Sequence, residues 1–480
     1  MSPVLQIAED VRTGRERAVS VVEAALQEAR TDRLGAFVHL QTEDALDRAL
    51  AIDTAIDRGD DPGPLAGVPV AIKDNIAQAG QPLGCASKML QGYTAPRSAT
   101  AVQRLVAAGA VPIGRTNMDE FGMGSSGENS SHGPTCNPWD PTRVPGGSSS
   151  GSAAAVAAGI VPAALGSDTG GSVRQPASLC GVVGLKPTYG RISRSGLVGF
   201  GSSVDQVGPM AASVRGVAAL LAVMAGPDPL DSTSLGSGPE DWVGACDRDP
   251  KGLRIGLPRQ CWTGAGEVED AVRRAVLALE DAGAELVDVD LPSLAMAIPT
   301  YYLLTSAEAS SNLSRFDGVR YGARVAAKEI GQMVAQTRSE GFGPEVQRRI
   351  LLGTFALSAG YAEDYYERAD AVRDQMRAEL CSALQGVSAL AMPTSPTTAF
   401  RLGERVDDPV SMYLSDVFTT PPSLTGLPAI SVPAGLLQGL PVGLQLVGRM
   451  EDEATILGLA AAVESWRGPL GADGRLGDAL

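Results

Sequence analysis

Residues 67–75 read GVPVAIKDN, residues 145–152 read PGGSSSGS, and residues 166–176 read GSDTGGSVRQP. In the first segment, an apolar run typical of a buried strand ends directly in a lysine. The second segment leads into the apolar, helix-forming run AAAVAAGI, which argues against a flexible linker. In the third segment, two glycines stand immediately before a serine. Short strands, helices and Gly-rich loops therefore alternate here, which predicts an α/β fold.

The same alternation extends to both sides of these segments. The N-terminal part is predicted to be helical, with Ser20 opening one helix as the first residue of a capping box. Thr100 is predicted to cap a later helix, and Gly283 stands where a helix would end in a glycine. A long helical stretch is expected roughly from Pro344 to Leu384. Strands between helices indicate a largely buried sheet.

The composition is that of an ordinary globular protein, with 480 residues of which 44 % are hydrophobic and 20 % charged. The 55 acidic and 39 basic residues give a formal net charge of -16, which disfavours direct binding to a nucleic-acid backbone. The N-terminus has no apolar run after a basic start, so no signal peptide is expected. The six cysteines form no CxxC pair, and we expect a cytoplasmic protein.

A serine in this sequence has the neighbours that amide chemistry needs. A serine attacks well only when a base takes its proton and an oxyanion hole stabilises the resulting charge. Gly170 and Gly171 directly precede Ser172, and their amides can approach a substrate carbonyl closely. The alternative for this motif is a tight turn without catalytic function. The chain has only two histidines, His39 and His132, which disfavours a Ser-His-Asp triad and a His-ligated metal site.

The candidate base is Lys73, which follows the apolar strand VPVAI. An ammonium group that ends in or near a core either pairs with a carboxylate or loses its proton, because burial disfavours the charged form. The first alternative is a structural salt bridge, with Asp74 as the nearest acid in sequence. The second alternative is a neutral amine that can accept a proton from a serine.

The three motifs together resemble the signature of the amidase-signature family, and the resemblance covers nearly the whole chain. It implies a catalytic triad of Lys73, Ser148 and Ser172, which are separated by 75 and 24 residues. In that family the last serine attacks the amide carbon, and the middle serine relays its proton to the neutral lysine. The resemblance places the oxyanion hole at Thr169, Gly170, Gly171 and Ser172.

The resemblance also implies an architecture, which is a mixed central β-sheet covered by helices on both faces. We expect one domain over residues 1–480, with N-terminal helices in 1–65, a signature core in 66–210 and the remaining sheet and substrate-recognition helices in 211–480. The family has a cis peptide bond before its middle serine, here Gly147–Ser148. This chain departs from the family at Ser150, where a glycine is usual, and a positive φ there would strain a serine.

Four segments outside the three catalytic motifs resemble the A subunits of bacterial aspartyl/glutamyl-tRNA amidotransferases: residues 117–140, 308–322, 348–361 and 408–433. The resemblance implies a glutaminase whose ammonia passes to a B-type subunit that carries charged tRNA, ATP and Mg, with a C-type subunit completing a heterotrimer. No cofactor and no metal are expected in this chain. It has no P-loop, so ATP would be handled by another subunit, and it has no RNA-binding motif for the tRNA. The alternative is a stand-alone amidase that acts on small carboxamides.

Glutamine is a zwitterion, so a site that selects it needs a cation for the α-carboxylate and an anion for the α-ammonium. By resemblance we assign these functions to Arg349 and Asp416, with Tyr302 as a third substrate-binding residue. The alternatives are that Arg349 is a solvated helix residue and that Asp416 is a helix cap.

Overall fold

The computed structural model describes residues 2–263 and 266–468. One sheet contains all eleven strands of the described residues, in the order β1-β3-β2-β4-β6-β5-β10-β11-β9-β7-β8. The strands are β1 Phe37–Leu40, β2 Pro69–Lys73, β3 Val111–Thr116, β4 Ala163–Asp168, β5 Val183–Lys186, β6 Gln206–Ala211, β7 Arg254–Pro258, β8 Glu285–Val289, β9 Ala389–Pro393, β10 Ala429–Leu437 and β11 Leu440–Val447.

Sixteen α-helices surround this sheet in the described part of the chain. They are α1 Pro3–Arg12, α2 Ala18–Arg30, α3 Thr42–Asp57, α4 Thr100–Ala107, α5 Ser150–Ala157, α6 Arg174–Cys180, α7 Val214–Met224, α8 Trp242–Ala245, α9 Glu267–Asp281, α10 Ala297–Asn312, α11 Ile330–Gly341, α12 Pro344–Ala356, α13 Arg368–Gly386, α14 Pro409–Tyr413, α15 Thr420–Thr425 and α16 Glu453–Arg467. None of the described helices is long and apolar enough to cross a membrane.

The sheet is mixed, and it is covered on both faces. β2 pairs in parallel with β3 and β4, whereas β4 and β6 are antiparallel. Successive side chains of a strand point to opposite faces. In β2, Val70 and Ile72 belong to a core cluster shared with α7 and α16, whereas Ala71 belongs to a cluster shared with α2 and α5. The predicted α/β fold with a mixed, buried sheet is thus confirmed, while the boundaries after residues 65 and 210 stay predictions.

The parallel pairing of β2 and β4 positions the site. Ile72 is in register with Leu165, so both strands end at the same edge of the sheet. Lys73 ends β2 and Asp168 ends β4. The lysine and the loop that follows Asp168 therefore meet at this edge, although 95 residues separate them in the sequence.

The predicted N-terminal caps of two helices, α2 and α4, were wrong. Helix α2 begins at Ala18, before Ser20, because Asp53 of α3 accepts the Ala18 amide at 2.7 Å and caps the helix from outside. Thr100 is the first residue of α4 and does not cap it, since its hydroxyl donates to Asp228 at 2.6 Å.

The helical stretch predicted from Pro344 to Leu384 consists of more than one helix. It is divided into α12 and α13 by a turn in which Gly360 has a φ of +86°, a value that interrupts a right-handed helix. Two other predictions concern the backbone angle φ, at Gly283 and at Ser150. Gly283 follows α9 with a φ of +95°, as predicted for a terminating glycine. Ser150 is the first residue of α5 and is not among the residues with positive φ, so it carries no strain of that kind.

Candidate active site

Lys73 is completely buried and surrounded by serine oxygens. Its Nζ lies 2.8 Å from Ser148 Oγ, 2.9 Å from Ser149 Oγ and 3.0 Å from Ser167 Oγ. No carboxylate of the described residues lies within ion-pair distance of this nitrogen. Burial lowers the pKa of Lys73 to about 7, against the weaker opposing effect of more distant carboxylates, of which Asp119 is the largest. At neutral pH the amine is therefore neutral in a large fraction of molecules.

The salt bridge between Lys73 and Asp74 that the sequence left open is not formed. Asp74 pairs with the buried Arg115 of β3, with Nε and Oδ1 3.6 Å apart. The Asp74 carboxylate also accepts the Ala86 amide at 3.2 Å. Because these partners occupy Asp74, Lys73 remains available to the serines.

The segment that carries Ser148 is tied to the other parts of the site through its backbone. The Gly147–Ser148 peptide bond is cis, as the resemblance implied. The Asp119 amide donates to the Ser148 carbonyl at 3.2 Å, and the Ser149 amide donates to the Ser172 carbonyl at 3.1 Å. The structure thus brings all three predicted triad residues to one place.

A buried ion pair fixes the first residue of the loop 168–172. Asp168 and Arg174 are both completely buried and form an ion pair at 2.8 Å. Arg174 also donates to Ser423 Oγ at 2.8 Å and to Gln445 Oε1 at 2.6 Å, so its donors are satisfied. A buried pair of this kind costs desolvation but fixes geometry when its hydrogen bonds are complete.

The two glycines of this loop are required by the close packing around them. Gly171 has a φ of +139°, and a Cβ there would overlap the Thr419 hydroxyl. A Cβ at Gly170 would lie 2.6 Å from Tyr301 Cζ. Thr419 also donates its hydroxyl to the Gly170 carbonyl at 2.8 Å, which turns that peptide group.

Thr169, the first residue of the predicted oxyanion hole, is anchored by its side chain. Its hydroxyl donates to Asp205 Oδ1 at 2.8 Å, and Asp205 Oδ2 accepts the Phe200 amide at 2.8 Å. In the described residues, no protein acceptor takes the backbone amides of Gly170, Gly171 or Ser172. Such amides are free to bind a carbonyl oxygen of a bound molecule.

Arg349 is buried in α12, which rejects the alternative of a solvated helix residue. Its Nε donates to Glu345 Oε1 at 2.7 Å, and its Nη2 donates to Tyr302 Oη at 3.5 Å. The guanidinium carbon lies 4.7 Å from the centre of the Tyr302 ring, which is itself stacked on Tyr413 at 3.8 Å. Burial by itself lowers the pKa of Arg349, but Tyr302 and Glu345 raise it above its ordinary value. The group is a permanent cation.

Asp416 is also buried, and one of its oxygens has no partner. Ser125 donates its hydroxyl to Oδ2, whereas Oδ1 is buried without a hydrogen bond in the described structure. Burial raises the pKa of Asp416 to about 7, although the Ser125 hydrogen bond and the Arg349 charge both lower it. The Asp416 carbonyl accepts the Thr420 hydroxyl at 2.8 Å, and this hydroxyl lies 3.4 Å from the Gly170 carbonyl of the glycine loop. Its side chain caps no helix, contrary to the alternative.

Sequence reasoning missed several members of this site. Ser125 bonds to Asp416 and Glu345 bonds to Arg349, whose guanidinium carbon also lies 5.5 Å from the centre of the Tyr413 ring. Ser125 stands in the sequence GMGSSGEN, whose small residues give no signal of such a contact. A cavity of about 140 Å³ is lined in part by Arg349, Glu345 and Tyr413. The cavity therefore lies next to the Arg349 end of this site.

The two histidines lie in other surroundings. His132 is exposed in a loop, and His39 lies in β1. In the described residues, no group of three or more His, Cys, Asp and Glu side chains is arranged to hold a metal ion. None of the six cysteines, all of which are described, forms a disulfide.

The chain is similar to known proteins over most of its length. It is 54 % identical over 451 residues to the A subunit of the glutamyl-tRNA(Gln) amidotransferase of Chloroflexus aurantiacus, with 93 % of each chain covered. It is 55 % identical over 440 residues to the protein of the same name from Moorella thermoacetica, with 91 % of this chain and 90 % of the relative covered.

The fold is similar to the crystal structure of the A subunit of the Thermotoga maritima glutamyl-tRNA(Gln) amidotransferase. The TM-score is 0.79 at 42 % identity, with 94 % of this chain and 92 % of that chain covered. The sequence profile of the Amidase family matches residues 20–457. The chain belongs to the Amidase family.

Proposed function

We propose that this chain hydrolyses the side-chain amide of glutamine and supplies the ammonia to a tRNA-dependent amidotransferase. The observation that carries this proposal is a pair of buried charged groups, the permanent cation of Arg349 and the Asp416 carboxylate, whose Oδ1 has no hydrogen-bond partner in the described structure. Buried polar atoms in native proteins nearly always have partners. The ammonium of a ligand would satisfy Asp416 Oδ1, and its carboxylate would pair with the Arg349 cation beside Glu345.

The proposed binding follows from the charges. The α-carboxylate of glutamine pairs with Arg349 beside Tyr302, and the α-ammonium donates to Asp416 Oδ1. The side-chain amide then extends towards Ser172, with its carbonyl oxygen at the amides of Gly170 and Gly171. Each charge-assisted hydrogen bond contributes about 1.5–3 kcal/mol.

The proposed reaction has two steps. Ser172 Oγ attacks the amide carbon while its proton passes through Ser148 to the neutral amine of Lys73. The proton returns through Ser148 to the departing nitrogen, which releases ammonia and leaves a γ-glutamyl ester on Ser172. Water then attacks this ester, and the same groups carry its proton, so that glutamate and the free enzyme result. The Lys73 pKa of about 7 suits this function, because the base changes charge near working pH.

The partners and the acceptor tRNA are proposed from the relatives, whose names state an amidotransferase that acts on glutamyl-tRNA(Gln). We infer that a B-type subunit holds charged tRNA, ATP and Mg, and that a C-type subunit completes a heterotrimer. Glu-tRNA(Gln), Asp-tRNA(Asn) or both are the acceptors. The chain's net charge of -16 supports this division, since tRNA binding needs many cationic contacts. Such an assembly would work in the cytoplasm, where tRNA is charged.

The test is an ammonia-release assay of the purified chain on glutamine, alone and with B-type and C-type subunits, ATP and Glu-tRNA(Gln) or Asp-tRNA(Asn). We expect slow hydrolysis by the lone chain, faster hydrolysis in the assembly, and no tRNA binding by the lone chain in a titration. Partner-independent activity on varied small carboxamides, with no preference for glutamine, would instead identify a stand-alone amidase.

A further inference from the structure

One buried amide side chain joins the two halves of this site. Gln175 is completely buried in α6. Its Oε1 accepts the Gly147 amide at 3.0 Å, and its Nε2 donates to the Ser125 carbonyl at 2.8 Å. Neither hydrogen bond belongs to a helix or to the sheet. Gln175 therefore connects two loops that reach the site from different parts of the chain.

Each of these loops carries a functional side chain next to the hydrogen bond. Gly147 precedes Ser148, whose Oγ lies 2.8 Å from Lys73 Nζ. Ser125 donates its own hydroxyl to Asp416 Oδ2. Hydrogen bonds thus run from Asp416 through Ser125 and Gln175 to the backbone of the segment that holds Ser148.

The bridge requires the chemistry of an amide. The side-chain amide of Asn or Gln offers a neutral donor and a neutral acceptor on one planar group at any pH near neutrality. Glutamate at position 175 would lose the donor for the Ser125 carbonyl when ionised, and an apolar side chain would lose both bonds. Loss of either hydrogen bond would leave a buried backbone group without its partner, which favours a shift of the loop that carries this group.

We propose that Gln175 is a positioning residue that sets the distance between the Asp416 carboxylate and the reacting serines. Through this distance it makes hydrolysis selective for amides that carry an α-ammonium group. The inference rests on the proposed function, in which Asp416 binds that group. Glutamine holds its ammonium and its amide carbon within a fixed reach, and a misplacement of about 1 Å can cost about 100-fold in rate.

The test compares glutamine with glutaramate, which has the same amide and carboxylate but no α-amino group. We expect Gln175→Met to reduce the preference for glutamine, expressed as the ratio of the two kcat/KM values, by about tenfold or more. We expect kcat on glutaramate to fall less than kcat on glutamine. A role limited to filling the core would lower both substrates equally and leave the ratio unchanged.

Gln206 provides a matched control, because it is another completely buried glutamine that bridges two backbone groups. Its Oε1 accepts the Gly190 amide at 2.9 Å, and its Nε2 donates to the Ile192 carbonyl at 2.9 Å. Gln206→Met removes an equivalent pair of hydrogen bonds away from Ser125 and Gly147. It should lower the melting temperature but keep the wild-type preference for glutamine.

Ser125→Ala removes the next hydrogen bond of this path, which the Ser125 hydroxyl donates to Asp416 Oδ2. It should reduce the preference, because kcat/KM on glutamine should fall more than kcat/KM on glutaramate. The double variant Ser125→Ala/Gln175→Met should lose no more of the preference than the greater single loss, because both changes interrupt one path. If Gln175→Met does not fold, Ser125→Ala alone decides, and an unchanged preference overturns the inference.

The outcomes separate the two proposals. A wild-type chain without any preference for glutamine would refute the proposed function, and the inference about Gln175 would fail with it. A wild-type preference that persists in Gln175→Met would refute only the inference. Additive losses in the double variant would also refute it, because they would show that Ser125 and Gln175 act separately.

Discussion

Lowering the pH from 8 to 6 should reduce the activity of this enzyme by about tenfold through Lys73, and the size of the effect follows from the structure. An ordinary lysine with a pKa of 10.5 would be neutral at pH 7 in only about 1 of 3,000 molecules. Burial among three serine hydroxyls lowers the pKa of Lys73 to about 7, so about half of the molecules carry the neutral base at that pH. Because this pKa is depressed, the active form is lost as the pH falls through 7 and is complete above about 8.

The assay is initial-rate ammonia release between pH 5.5 and 9. Below pH 7, kcat/KM should fall by about tenfold for each further pH unit. Asp416 titrates in the same range, since burial raises its pKa to about 7, and it must be ionised to bind an α-ammonium. Glutaramate has no α-ammonium, so its rate should report Lys73 with less influence from Asp416, and glutamine should show the steeper decline.

Lys73→Arg is the control for this profile, because a guanidinium stays protonated in proteins. This variant should be inactive throughout the pH range while keeping a cation at the same place. A rate that is flat between pH 6 and 8, or that rises tenfold per pH unit up to pH 9 without levelling off, would show that Lys73 is an ordinary charged lysine. Either result would refute the assignment of Lys73 as the base.

Three further results are expected. Ser172→Ala should abolish ammonia release, and the double variant with Ser148→Ala should lose little more, since residues that act as a unit are not additive; full additivity would contradict the relay. Arg349→Ala should raise KM for glutamine by about 10- to 100-fold, which corresponds to one charge-assisted hydrogen bond. KM for butyramide, which has no carboxylate, should change little. Equal losses on both amides would contradict the pairing of Arg349 with the α-carboxylate. Gly171→Ala should lower both the melting temperature and kcat, because its Cβ would overlap Thr419 at a φ of +139°; a melting temperature equal to wild type would contradict this packing.

The sequence was sufficient for the parts of this protein that depend on local pattern. An apolar run of strand length predicted β2, and a lysine at its end predicted a buried amine. The glycines before Ser172 predicted a loop with exposed amides, because side-chain-free residues allow close approach. The motifs also carried the family resemblance, whose fold the structure confirms. Its assignment of Arg349 and Asp416 to substrate stays a prediction.

The charge of Lys73 was decided only by the tertiary structure. Asp74 is its neighbour in sequence, but Asp74 pairs with Arg115 of the adjacent strand. The serines that contact Lys73 come from positions 75 to 94 residues away. Burial and long-range partners set a pKa, and neither can be read from local spacing.

The substrate side of the site depends even more on long-range contacts. Ser125 and Asp416 are 291 residues apart, and no periodic pattern connects a serine in a Gly-rich loop with an aspartate near a short helix. Gln175 follows Ser172 in the same motif, yet its two hydrogen bonds extend 28 and 50 residues back along the chain. The sequence by itself determined the strand β2, the loop before Ser172 and the family. Only the folded chain determined that Oδ1 of Asp416 has no partner among the described residues, because the partners of a side chain depend on which segments the fold packs together.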